Sequence, residues 1–120
     1  MTSNASIADL FKSIDSKNLP DFLSHLSPSC VFRFGNLEPV AGLEAIGAFV
    51  GYFFDSIDSL RHEVLETWPV EGGVVCHGWV TYGRKDGTSL SVPFANVMKG
   101  GDAGIDEYLI FADTSRLYAP

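Results

Sequence analysis

Apolar positions along the chain follow two periods in turn. Ile7, Leu10, Phe11 and Ile14 recur at spacings of three, one and three, which is the stripe of one helix over residues 6–16. Ser6 followed by Asp9 resembles a capping-box start for it. A second, short helix is predicted over 18–26, with Asn18 as N-cap, Pro20 in the first turn, and Phe22, Leu23 and Leu26 as its apolar face. Pro28 is expected to end it. Cys30-Val31-Phe32-Arg33-Phe34 reads as a strand, and Gly35 to Gly42 as a loop around Asn36 and Pro39. A third helix, Leu43 to Ile57, carries Ile46, Phe49, Val50, Phe53, Phe54 and Ile57 in a stripe wide enough to predict burial along one side.

From Leu60 onward the period becomes two, and strands are predicted over 60–69, 74–84, 88–99 and 105–112. Their connectors, Glu71-Gly72-Gly73, Lys85-Asp86-Gly87 and Gly100 through Gly104, carry turn chemistry and predict antiparallel hairpins. The last of these is no phosphate loop, since it lacks the Lys-Ser/Thr ending and a following helix. Helices segregated from an antiparallel sheet predict an α+β fold. A long twisted sheet buries one face against three N-terminal helices only by curling around them. The expected result is a cone-shaped curved antiparallel sheet with an apolar pocket at its open end. There is no internal repeat and no linker, so residues 1–120 read as a single domain.

Composition narrows the function classes. Apolar residues make up 46% of the chain, enough for a core, and nine phenylalanines can fill that core or line a pocket. The formal net charge is −7, with Lys and Arg nowhere clustered, which argues against nucleic acid and against anionic membrane surfaces as partners. No apolar run approaches the ~20 residues of a membrane span. The start, Met-Thr-Ser-Asn-Ala-Ser, has neither a basic nor an apolar leader region, so the expectation is a soluble cytoplasmic protein. Cys30 and Cys76 have no CxxC spacing and read as buried thiols. With His25 and His62, both expected at exposed positions, they make no metal-ligand pattern, and neither metal nor cofactor is expected.

The hairpin at Asp86-Gly87 continuing through Ser91-Val92-Pro93-Phe94-Ala95-Asn96-Val97-Met98 is one of two distinctive stretches. The other is the final strand and exit, Ile105 through Asp113 followed by Thr114-Ser115-Arg116-Leu117-Tyr118. Together with the element order, they resemble the SnoaL-like, polyketide-cyclase branch of the nuclear-transport-factor-2-like superfamily. The resemblance implies a cone-like, cystatin-like roll and a homodimer packed through the sheet. It does not imply one reaction, because relatives include cyclases, isomerases, epoxide hydrolases, dehydratases and binding modules.

Strand alternation sorts the candidate pocket residues. Tyr108 and Ile110 share a face on the last strand, Val92, Phe94 and Asn96 on the one before, and Phe34 lies on the first. Similarity to epoxide-hydrolase members, taken with the Asp86-Gly87 hairpin in register, places His77 and Trp79 at two positions of an Asp-Arg-Asp set and Ile110 at the third. None of those acids or bases is kept. Steroid isomerases of the superfamily use a tyrosine and carboxylates, and the first helix offers Phe11 instead. A pocket carboxylate of the cyclase kind would require a one-residue slip bringing Asp106 or Glu107 inward. The proposed wall is therefore Phe34, His77, Trp79, Val92, Phe94, Asn96, Tyr108 and Ile110. His77 is the candidate general acid or base, or else a core histidine. Trp79 stacks on a ligand or on the core. Asn96 and Tyr108 are ligand anchors or structural bridges. Asp113 reads as an Asx-turn residue. Two functions remain: a cofactor-independent isomerase, cyclase or dehydratase acting on an apolar or aromatic molecule by proton transfer, or a non-catalytic ligand-binding or dimeric accessory module.

Overall fold

A computed structural model describes residues 4–118, so the first three residues, on which part of the leader expectation rests, lie outside the described residues. The predicted stripe on helix α1 (Asn4–Asp15) is buried at Ile7, Leu10, Phe11 and Ile14. The helix begins at Asn4, which puts Ser6 inside it and not at a capping position. Helix α2 (Leu19–Ser24) is capped as expected, Asn18 Oδ1 accepting the Asp21 amide at 3.2 Å. It stops at Ser24, and Leu26 belongs to strand β1 (Leu26–Phe34), which runs through Pro28. Proline is tolerated there because the pairing of β1 shifts between Leu26 and Val31, leaving Pro28 in an irregular stretch. A two-residue strand β2 (Val40–Ala41) lies inside the predicted loop and leads into helix α3 (Leu43–Ser56).

The meander is β3 (Ser59–Val70), β4 (Gly73–Gly83), β5 (Ser89–Gly101) and β6 (Gly104–Ala112), and the sheet order is β2-β1-β6-β5-β4-β3. All neighbours are antiparallel except β1 and β6, which pair in parallel. The expectation of a purely antiparallel sheet is corrected at that point. β1 is separated from the meander by α3, and a long crossover allows parallel pairing.

The sheet curves but does not close: β2 and β3 remain its edges. A bulge in β3 lies between Val64 and Glu66, opposite Gly78. A Cβ on Gly78 would come within 1.8 Å of the Glu63 carbonyl oxygen, so only glycine allows this approach. The bulge also reverses the facing of β3. Leu60, His62 and Val64 point inward before it, and Glu66 and Trp68 sit on the outer face after it, beside His77.

The inner face packs on α1 and α3 through Leu60, Val74, Cys76, Val80, Phe94, Met98 and Tyr108. Both cysteines are free and buried, and burial pushes each thiol up to about 11. Residues after β6 form a strap. Leu117 is buried, the Arg84 guanidinium donates to the carbonyls of Leu117 and Arg116 at 3.0 Å each, and the Ser56 and Tyr118 hydroxyls meet at 2.6 Å. Among the described residues, no helix is long and apolar enough to cross a membrane.

Candidate functional site

Inner-face alternation on five strands and the apolar sides of the helices leave one enclosed void between them. Its volume is about 40 Å³. A water needs roughly 10–15 Å³ by this measure, so the void holds about three. Aromatic rings dominate the wall: Phe34, Phe49 and Phe53 toward the mouth, Phe94 and Tyr82 on the sheet, and Phe22 and Tyr108 at depth. They pack edge-on or tilted, as aromatic rings prefer, with centroids 5.0 Å apart for Phe34–Phe53 and 5.9 Å for Phe53–Tyr82. Phe34, Phe49 and Phe53 also floor an outer pocket of about 170 Å³ that Leu37, Tyr52, Thr114 and Tyr118 complete. Those three rings therefore stand between the void and the surface.

Polar groups in this wall are few. His62 lies on β3, and its ring is wedged between Phe11 and Phe94 at centroid distances of 4.7 and 5.1 Å. Its Nδ1 lies 2.6 Å from Asp15 Oδ1, and its backbone N–H donates to Asp15 Oδ2 at 2.9 Å. A carboxylate only accepts, so the proton belongs on Nδ1, and Nε2 carries the lone pair. Among the described residues Nε2 has no hydrogen-bond partner. The side chains are 11% exposed for His62 and 25% for Asp15. Asp15 lines a shallow groove on the other side of the imidazole, between α1 and β3, and not the void. The pair is thus an imidazole at a largely apolar wall, oriented by a carboxylate that touches solvent.

Asn96 is 2% exposed, and its Oδ1 has no donor among the described residues. Its neighbours across the sheet, Cys76 and Ile110, are a thiol and an alkyl group that leave it unsatisfied. Tyr82 and Tyr108 complete the polar set. Burial drives both phenols well above their ordinary range, so both stay protonated donors.

Of the wall predicted from sequence, Phe34, Phe94, Asn96, Tyr108 and Ile110 do line the void. Val92 is on the inner face and packs on the core beyond the void. His77 and Trp79 are a correction: both lie on the outer face. His77 Nε2 is 3.3 Å from Glu66 Oε1 and its ring stacks on Trp68 at 5.3 Å and 8°, while Trp79 is 45% exposed. Turn geometry is the reason. The hairpin pairs Gly83 with Ser89, hence Cys76 with Asn96 and His77 with Ala95. Even-numbered residues face inward on both strands, so Asn96 and His77 cannot share a wall.

Neither Asp106, Glu107 nor Asp113 reaches the void. Asp106 accepts the Ser27 hydroxyl at 2.5 Å, and Asp113 accepts the Ser115 amide at 2.9 Å in the expected Asx turn, a bond that with the Ser115 side chain lowers its pKa. The expectation of an exposed His62 is overturned as well.

The outer face of the sheet is apolar and concave. Trp68, Val75, His77, Pro93, Ala95 and Phe111 line a broad depression of about 1040 Å³ there.

Comparison with known proteins gives one sequence match and many structural ones. The profile of the SnoaL-like domain matches residues 7–107. No curated protein matches the sequence. A nuclear-transport-factor-2-like protein of unknown function from Burkholderia pseudomallei superposes with a TM-score of 0.85 at 17% identity, over 98% of this chain and 95% of that one. A candidate SnoaL-like polyketide cyclase from Jannaschia sp. gives 0.81 at 19% identity, over 95% and 90%. A protein from Catenulispora acidiphila with a ketosteroid-isomerase-like fold, in complex with trimethylamine, gives 0.82 at 12% identity, over 92% and 86%. At these identities the likeness is one of fold.

Proposed function

This chain belongs to the SnoaL-like domain family, and on that footing we propose that its enclosed cavity takes a small apolar organic molecule on which His62 moves a proton. The observation that carries this is the 2.6 Å contact of His62 Nδ1 with Asp15 Oδ1 at the wall of an aromatic void. The contact fixes the tautomer, so Nε2 is the acceptor. The imidazolium formed when Nε2 takes a proton from carbon lies against a carboxylate, which stabilises it. Returning that proton to another carbon completes an isomerisation, to a leaving hydroxyl a dehydration, and to the alkoxide left when the carbanion has attacked a carbonyl a cyclisation, each without a cofactor. Phe34, Phe94, Tyr108 and Ile110 are the proposed hydrophobic contacts. The chain is further proposed to pair with a second copy through the outer sheet face, in line with its exposed Trp68 and Phe111.

A binding module without chemistry is the alternative. It is favoured by the lack of any carboxylate among the residues lining the void. Exchange of the α-protons of cyclohexanone in D2O, followed by proton NMR, separates the two. Wild-type protein is expected to accelerate exchange, and His62→Gln to remove about a hundredfold or more of that acceleration with an unchanged circular dichroism spectrum. No acceleration by the wild type, or equal rates for the two proteins, overturns the catalytic reading.

A further inference from the structure

We infer that Asn96 selects the ligand, admitting a small neutral ring that carries a hydroxyl hydrogen-bond donor. The inference rests on the ligand-cavity reading above and adds the chemistry of the ligand to it. Asn96 Oδ1 is buried in the wall of the void with no donor among the described residues. Nearly all buried polar atoms in folded proteins are paired, and one left bare in an apolar cavity is at its most demanding for a partner. Asn96 lines the void, so a group brought in there can supply the missing donor after a small turn of the Asn96 side chain.

The surroundings specify that group. An oxygen acceptor repels a carboxylate or phosphate, so the incoming group is not an anion. No acidic side chain lines the void to balance an ammonium ion, and ring faces alone return only part of what a desolvated cation loses. A neutral donor remains, and O–H is the one whose oxygen also accepts. The Tyr82 and Tyr108 hydroxyls, also in the wall, can donate to the lone pairs of the same oxygen or of a second one.

Shape and size narrow it further. The wall is largely rings, which suits a flat partner. At about 40 Å³ the void is roughly a quarter of the ~150 Å³ apolar cavity that accepts benzene. A single ring therefore enters only when Phe34, Phe49 and Phe53 turn outward and join the void to the outer pocket of about 170 Å³.

Phenol and anisole are the probes, nearly identical in shape and differing in the donor. Affinities for each are measured by NMR titration against wild-type protein and against Asn96→Leu, with folding of the variant checked by circular dichroism. Wild type is expected to bind phenol about tenfold more tightly than anisole, the worth of one hydrogen bond to a buried group. Asn96→Leu is expected to bring the ratio near one by weakening phenol alone. Equal wild-type affinities, a preference for anisole, or a phenol preference that survives in Asn96→Leu overturns the inference while leaving the cavity reading intact. Binding of neither probe overturns the cavity reading itself. The wild-type comparison stands even where the variant fails to fold.

Discussion

Replacing Asn96 with leucine is expected to stabilise the protein, although the residue is among its most buried. Asn96 is 2% exposed and its Oδ1 lacks a partner among the described residues, so folding strips it of water and returns nothing. An unsatisfied buried polar atom costs about 1–3 kcal/mol. Leucine removes that cost and brings no polar atom of its own. Its greater bulk would ordinarily be penalised by about 1–3 kcal/mol for overpacking, but Asn96 borders a void of about 40 Å³ that can take it up. The backbone pairing of Asn96 with Cys76 and Ile110 is untouched. The expected gain is about 1–3 kcal/mol, which for a chain of this size is a rise in Tm of roughly 4–12 °C. Calorimetry reads the Tm, and urea unfolding should show a higher midpoint with an unchanged slope. A lower Tm at constant slope would mean that the oxygen is satisfied in the native protein, and the reasoning would fail with it. Residues kept for ligands rather than for the fold are where stability and function oppose each other.

Other outcomes follow from the same geometry. Cys30 and Cys76, with thiols pushed up to about 11, should resist iodoacetamide at pH 8 in the folded protein and react on unfolding, which mass spectrometry reads directly. Between about pH 9 and 11 the unfolded chain loses thiol protons that the folded chain keeps, so stability should fall as pH rises through that window, seen as a declining Tm. Phe111→Lys places a charge in the outer depression, where the side chain is 57% exposed. It should convert a dimer to monomer in light-scattering measurements without lowering phenol affinity by more than about twofold, since the proposed interface and the void lie on opposite sheet faces. An unchanged mass would remove that face from the proposed interface.

Much of the architecture was legible because hydrophobic period and turn chemistry report local structure. The stripe Ile7–Leu10–Phe11–Ile14 and the wide face of α3 are buried as read, and every predicted meander strand lies within a residue or two of its place. What escaped depends on pairs of strands or on contacts distant in sequence. The wrong face for His77 came from the similarity to epoxide-hydrolase members, whereas the turn between Gly83 and Ser89 ties the parities of β4 and β5 together and sets His77 opposite Ala95. Val74, Cys76, Val80 and Tyr82 already formed the more apolar series on β4, but the resemblance pointed to His77 and Trp79 instead. His62 carried a usable signal, alternating with Leu60 and Val64 between charged Arg61 and Glu63. Nothing local marked Asp15 as its partner, because the two residues are 47 positions apart and meet only when α1 crosses β3.

The parallel pairing of β1 with β6 bears on how the chain reaches its native state. Strand β6 occupies an interior place in the sheet, between β1 and β5, yet it is synthesised after every other strand. Until it arrives, β1 and β5 each present an unpaired edge, and β1 waits for partners about as far away as Ser27 is from Asp106, 79 residues on. Such long-range closure is slow, because loop entropy must be lost before the contacts form. During that interval the nascent molecule is a split sheet with two open edges facing a gap one strand wide, the form most exposed to pairing with a neighbouring chain.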